Sequence, residues 1–357
     1  MKCNTYPIRS GFDGKKCLVH ARCVYTPEIM VATAQYLNVA GCDAFSGLLM
    51  SISRDEGKTW SEFEPQLGLG AIEQDGLITV PSDATPMYHK ATGKILLFGH
   101  TVEYRKGELY PTGNRRYTSY SVYDPEKNEF TKMKFVEMPD GYERCGNGSG
   151  QSVELPNGEL LIPVYFTGDD HSHAHTMVMR CSFDGETVRL LEMGNSMTVA
   201  PERGLCEGSI IYHNGVYYLT LRNDYRGYVA KSDDGLHYSE PELWCWDDGQ
   251  VLDTYCTQQH WMQVDGELYL VYTRRGADND QVFRHRAPLF AAKVENMRLV
   301  RSSEFVVVPE RGARLGNFCA APYKDGKAMV MAAEWMQPVT CTQYGSDNTI
   351  FLSIIEK

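Results

Sequence analysis

Four histidines, His20, His100, His260 and His285, stand where short apolar runs begin or end. An imidazole titrates near neutrality, so each can give or take a proton without a strongly tuned environment. Arginines gather further on as Arg274-Arg275 and Arg284-His285-Arg286. A guanidinium fork holds a carboxylate through paired hydrogen bonds, so this stretch suits an anionic ligand. Arg22, Asp83, Gln151, Arg222 and Asn317 add polar groups at similar points. In His171-Ser172-His173-Ala174-His175 the imidazoles alternate. On an extended strand His171, His173 and His175 would share a face, where with Asp169 or Asp170 they could hold a divalent ion such as Zn²⁺. Trp335 and Tyr225 are candidates to stack on a sugar ring.

The elements that must position these residues recur along the chain. The unit is an apolar strand, a tight turn, a second apolar strand, a variable loop and a third strand. The turns are Thr92-Gly93, Asn157-Gly158, Asn214-Gly215, Asp265-Gly266 and Asp325-Gly326. The first unit runs over 17–63 and the second over 77–137. The third has strands at 151–155, 159–166 and 175–183, the fourth at 208–212, 216–221 and 228–232. The fifth has strands at 261–264, 267–273 and 288–294, the sixth at 318–323, 327–333 and 349–355. The sixth unit lacks an outer strand because the chain ends at Lys357, and residues 5–9 belong to no other unit. They are expected to supply that strand and close a ring, which leaves no open sheet edge. In this arrangement His20 and Arg22, Asp83, Gln151, Glu207, His260 and Asn317 begin innermost strands. Asp43, His100, Arg222 and the arginine-rich stretch follow second strands, so all face one side of the ring.

No linker or low-complexity run divides the 357 residues, so 1–357 reads as one domain. A net charge of −11 excludes the basic surface of a nucleic-acid binder. No apolar run reaches the roughly 18 residues of a membrane span. Eleven cysteines, an odd number without a CxxC pair, form no disulfide framework, and Met1–Pro7 has no signal-peptide core. A reduced, cytoplasmic protein is expected. The sequence assigns no oligomer.

Ser53-Arg54-Asp55-Glu56-Gly57-Lys58-Thr59-Trp60 is the most specific motif. Its Asp side chain can accept backbone N–H bonds just ahead, its Gly supplies a positive φ, and its aromatic packs back onto the sheet. Related turns occur at Ser232-Asp233-Asp234-Gly235, at Ser182-Phe183-Asp184-Gly185 and near Asp124. The motif is an Asp box, and with this spacing the chain resembles the sialidase (neuraminidase) superfamily of BNR/Asp-box repeat proteins. The resemblance implies an all-β, six-bladed β-propeller, with seven blades as the alternative.

It also implies roles. Glu207, at Glu-Gly-Ser, matches the glutamate that assists the nucleophile. Arg222 resembles a clamp arginine, with Arg274 or Arg275 as another, and Asp43 is placed like the acid/base aspartate. The first clamp arginine has no counterpart at Val19-His20-Ala21-Arg22, where His20 stands closest to its place. In the last unit Tyr344 is the available nucleophile. The expected function is an exo-acting glycoside hydrolase on small oligosaccharides containing sialic acid or a uronate. Glu207, Asp43, His20 and His260 would be its acid/base groups, and Arg22, Asp83, His100, Gln151, Arg222, Arg274, Arg275, Arg284, His285, Arg286 and Asn317 its substrate contacts. No cofactor is required, with a divalent metal as the possible exception. The alternatives are a lyase on uronate glycans, using His and Arg, and a non-catalytic sugar-binding propeller.

Overall fold

The computed structural model describes residues 1–41, 43–110, 116–142, 144–167 and 173–357. The chain is an all-β propeller whose strands are hydrogen-bonded into six antiparallel sheets. Sheet one holds Lys16–Tyr25, Met30–Asn38 and Phe45–Ser53, and sheet two holds Leu77–His89, Lys94–Arg105 and Thr118–Asp124. Sheet three holds Val153–Glu154, Leu160–Thr167 and Ala174–Phe183, and sheet four Cys206–His213, Val216–Arg222 and Tyr228–Ser232. Sheet five holds His260–Val264, Glu267–Tyr272 and Leu289–Glu295. Sheet six runs Cys319–Pro322, Ala328–Ala333, Ile350–Glu356, and its outer strand is Lys2–Arg9, paired antiparallel with Ile350–Glu356. The amino-terminal strand thus covers the edge that the last sheet would expose. A count of blades gives five, not the expected six. The sheets are unequal, and the third has only two residues in its innermost strand.

Alternating apolar side chains on each strand bury both faces of the inner strands, and neighbouring sheets share one apolar layer each. Leu48 and Met50 meet Ile95 and Leu97 between sheets one and two. Met30 and Leu49 meet Met331 and Leu352 between sheets one and six. Trp244 and Trp261 lie edge to face, 5.5 Å between centroids, between sheets four and five. Trp261 Nε1 donates to the Ser209 carbonyl (2.8 Å), so its polar edge is satisfied inside the core.

The outer turns have the bonding that their sequences suggest. Asp55 accepts from Thr59 N at 2.9 Å while Trp60 Nε1 donates to the Gly57 carbonyl at 3.0 Å. Asp234 accepts from Leu236 N and His237 N, and Asp184 from Glu186 N and Thr187 N. No helix of the described residues is long and apolar enough to cross a membrane.

Trp261 is fully buried and links two sheets. Trp261→Ala is expected to cost about 3–5 kcal/mol in urea denaturation; a loss below about 1 kcal/mol would show that this layer does not hold the sheets together.

Candidate active site

The side chains at the centre are aimed by one repeated backbone feature. His20, Asp83, Ser149, Glu207, Cys256 and Asn317 all have φ between 50° and 63°, and none is glycine. Each stands just before or within the innermost strand of its sheet. At His20, Asp83 and Glu207 the pairing register shifts, as an inserted residue does in a β-bulge. The left-handed residue swings its side chain out of the ladder and toward the axis. The sequence marks His20, Asp83, Glu207 and Asn317; in sheet three it falls two residues deeper, at Gln151, and in sheet five four residues deeper, at His260.

Four of the six, His20, Asp83, Glu207 and Asn317, line a cavity of about 560 Å³. His20, Asp43, Asp83, His100, Glu207, Arg222, Arg284, Arg286 and Asn317 line it, with His173 at the wall. Asp83 is the hub of the floor. Its Oδ1 accepts from Arg22 Nη2 (2.9 Å), Ser149 Oγ (2.7 Å) and Asn317 Nδ2 (2.7 Å). Burial alone would raise its carboxyl, but His20 and the Arg22 guanidinium beside it hold it well below the usual carboxylate range. Gln35 fixes the His20 tautomer. Its Nε2 donates to the Ser46 and Pro81 carbonyls, so its Oε1 faces His20 Nδ1 at 3.0 Å and must accept from it. His20 Nε2 is left without a hydrogen-bond partner, 3.4 Å from Asp83 Oδ1.

On the opposite wall Arg222 Nη1 donates to Glu207 Oε1 at 2.6 Å, and Glu207 Oε2 is buried without a partner. Arg286 lies across Gly316, where a Cβ would meet its Cδ and Nη1 at 2.8 Å, and donates to the Cys256 carbonyl. Arg314 lies over the Trp335 ring at 4.1 Å. Burial, with Arg286 and Arg284 beside it, brings Arg314 down to about 9, and burial with Arg222 nearby brings Arg286 down to about 10. Both stay charged at neutral pH and repel one another. Seven arginines face the cavity against four carboxylates, in a chain of net charge −11. Such a focus of positive potential attracts anions.

Several expected site residues do not line this cavity. Arg22 is fully buried beneath it, because two residues along a strand from His20 means one step further down the axis. Gln151 spans the axis instead, accepting from Trp261 N at 2.9 Å and donating to the Trp261 carbonyl at 3.0 Å. His260 is sealed against Phe318 and bonded to Ser209 Oγ at 2.8 Å. Arg274 is spent on Glu304 (2.7 Å), and Arg275 stacks on Tyr255 at 3.7 Å. His285 is held by Tyr255 Oη (2.7 Å) and Asp280 (3.2 Å). Tyr344 lies half-exposed in a separate hollow, and Arg314 and Trp335 form the last sheet's share of the wall.

For the metal expectation, His171 lies outside the described residues. His173 Nε2 bonds the Ala200 carbonyl and His175 Nδ1 bonds Ser196 Oγ. Among the described residues no three His, Cys, Asp or Glu side chains group as metal ligands. Arg116, Arg144, Arg203, Arg314 and Tyr165 line the cavity and were not singled out in the sequence. Arg314, three residues before Asn317, had a usable signal; Arg116 and Tyr165 had none.

The buried His260 ties stability to pH. Burial lowers its pKa to about 3, whereas an unfolded imidazole titrates near 6.5. Between those values the unfolded chain binds the extra proton, so this group weakens folding as pH falls. His260→Gln is expected to flatten the loss of Tm between about pH 6 and 4; an unchanged acid profile would show that His260 is not held neutral.

No protein-family model and no curated protein matches the chain. Solved structures do. The Trypanosoma rangeli sialidase is similar over 99% of this chain and 60% of its own, at 15% identity and a TM-score of 0.67. The NanB sialidase of Streptococcus pneumoniae is similar over 98% of this chain and 70% of its own, at 12% identity and a TM-score of 0.63. A leech intramolecular trans-sialidase gives 98%, 68%, 13% and 0.61. The chain spans less than two thirds of the T. rangeli enzyme, and identities this low carry the architecture alone. With these three neighbours and the ring of antiparallel sheets described above, the chain has the sialidase-type β-propeller fold.

Proposed function

We propose that the protein is an exo-acting glycoside hydrolase that cleaves the bond next to an acidic sugar, a sialic acid or a uronate. The observation that carries this is the wall of Arg222, Arg286 and Arg314 beside a buried carboxylate oxygen, Glu207 Oε2, that has no partner. A substrate carboxylate beside Arg286 and Arg314 relieves their mutual repulsion and gains charged hydrogen bonds. Glu207, held through Oε1 by Arg222, has Oε2 free to take a proton from water. The leaving oxygen also needs a proton, and Asp43, exposed at the cavity rim, is the group that the sialidase resemblance offers. The T. rangeli sialidase has been solved with sialic acid, which fits the same class of ligand. The ten described cysteines are unpaired, as suits the reducing compartment in which we place the enzyme.

A panel of sialosides and uronate oligosaccharides, followed by mass spectrometry, tests the reading. Release of a sugar with addition of water is the expected result. A product absorbing in the ultraviolet through a new double bond would make the protein a lyase, and an inert panel would favour a binding platform. Glu207→Gln is expected to lower turnover by about 10²- to 10⁴-fold, with some loss of Tm because Arg222 keeps only Asp224 as a charged partner. Arg314→Gln is expected to weaken binding of the acid but not of its methyl ester, measured by calorimetry; equal loss for both would remove the carboxylate from that wall.

A further inference from the structure

Where sheets two and three meet the cavity, three side chains form a closed set. His100 comes from Lys94–Arg105, Tyr165 from Leu160–Thr167, and Arg116 precedes Thr118–Asp124. Arg116 Nη1 lies 2.8 Å from Tyr165 Oη and 3.1 Å from His100 Nε2, and His100 Nδ1 lies 3.2 Å from the same Oη. The pocket for the imidazole is built into the backbone, since a Cβ on Gly148 would sit 1.7 Å from His100 Nδ1.

Donor and acceptor roles follow from valence. A guanidinium only donates, so His100 Nε2 must present its lone pair. Burial, and Arg116 beside it, hold the ring neutral, which puts its proton on Nδ1. Tyr165 Oη therefore receives two hydrogen bonds, from Arg116 and from His100, and neither neighbour can accept its own proton. That proton is left to point into the cavity, which Tyr165 lines together with Glu207.

We propose that Tyr165, and not Asp43, is the catalytic acid that protonates the leaving oxygen. The inference rests on the hydrolase reading. As the anomeric C–O bond breaks, the phenol O–H breaks and its hydrogen bonds to the departing oxygen. The phenolate formed is already solvated by Arg116 and His100, so neither side chain has to move. Glu207 takes a proton from the attacking water, and exchange with solvent then deprotonates Glu207 and reprotonates Tyr165. Burial pushes the phenol up against the pull of Arg116, so it meets the substrate protonated. His100 and Arg116 are positioning residues that act through it.

Two measurements test this. In ¹⁵N NMR of the wild-type protein, the His100 resonances, identified by their loss in His100→Gln, are expected to show the Nδ1–H tautomer. The Nε2–H tautomer would overturn the proposal, because Nδ1 would then accept the phenol proton. The second measurement uses glycosides of graded leaving-group acidity. Tyr165→Phe, checked for wild-type Tm, is expected to lose about 10²- to 10⁴-fold on sugar leaving groups and under about tenfold on a dinitrophenyl leaving group. Asp43→Asn is expected to lose equally on both. Equal losses in Tyr165→Phe, or a dependence on the leaving group in Asp43→Asn, would overturn it. Wild-type protein inert on every glycoside would remove the hydrolase reading, and Tyr165 as acid with it; the tautomer would then report only whether the phenol proton is free. An active wild type with the wrong tautomer removes Tyr165 alone.

Discussion

Everything at the centre of this molecule depends on six residues held at positive φ where the innermost strands begin. A non-glycine residue in that region costs of the order of 1 kcal/mol or more, and it persists where the surrounding structure leaves no alternative. Here the alternative is closed by the ladders on both sides: His20, Asp83 and Glu207 each sit at a break in register between well-paired segments. The return is directional. A regular strand sends alternate side chains into the layers between sheets, whereas the left-handed residue sends one along the axis. Strain repeated once per sheet converts a ring of packed apolar layers into a polar floor.

The floor in turn decides where charge can rest. Asp83 gathers Arg22, Ser149 and Asn317 on one oxygen, so the first, second, third and last sheets are tied through a single carboxylate. Arg22 answers that charge from below and does not reach the cavity. Across the axis Glu207 answers Arg222, but Arg286 and Arg314 have only a backbone carbonyl, an amide and an aromatic face. The cavity is therefore balanced on one side and in positive excess on the other. An acidic exterior and a positive interior draw an anion to one place and leave the rest of the surface unattractive to it.

A buried polar site also demands that each proton be accounted for. Gln35 dictates the tautomer of His20 and Arg116 that of His100, in each case because the partner has only one role to offer. The two imidazoles differ in what they leave over. His20 leaves Nε2 facing Asp83 at 3.4 Å, while His100 passes a donor to Tyr165.

The architecture was legible in the chain. Asn-Gly and Asp-Gly turns between apolar runs mark the strands to within two or three residues in sheets four to six, and the unassigned residues 5–9 had no place except the open edge of the last sheet. Local chemistry decides such features, because a turn needs its positive φ and a strand its alternation. The residues that begin innermost strands were legible to the same accuracy, which suffices for Glu207 and fails for Gln151, since two residues along a strand separate the cavity from the sealed axis. What could not be read was which charges cancel. Arg274, Arg275 and His285 look like Arg284 and Arg286 in the sequence, yet Glu304, Tyr255 and Asp280 consume the first three. Arg116, His100 and Tyr165 are distant in sequence and meet only because two sheets pack side by side. The sequence by itself determined the strands, the turns and the ring; tertiary structure alone decided which ionisable groups stay unpaired, because pairing depends on distances across sheets that no local pattern encodes.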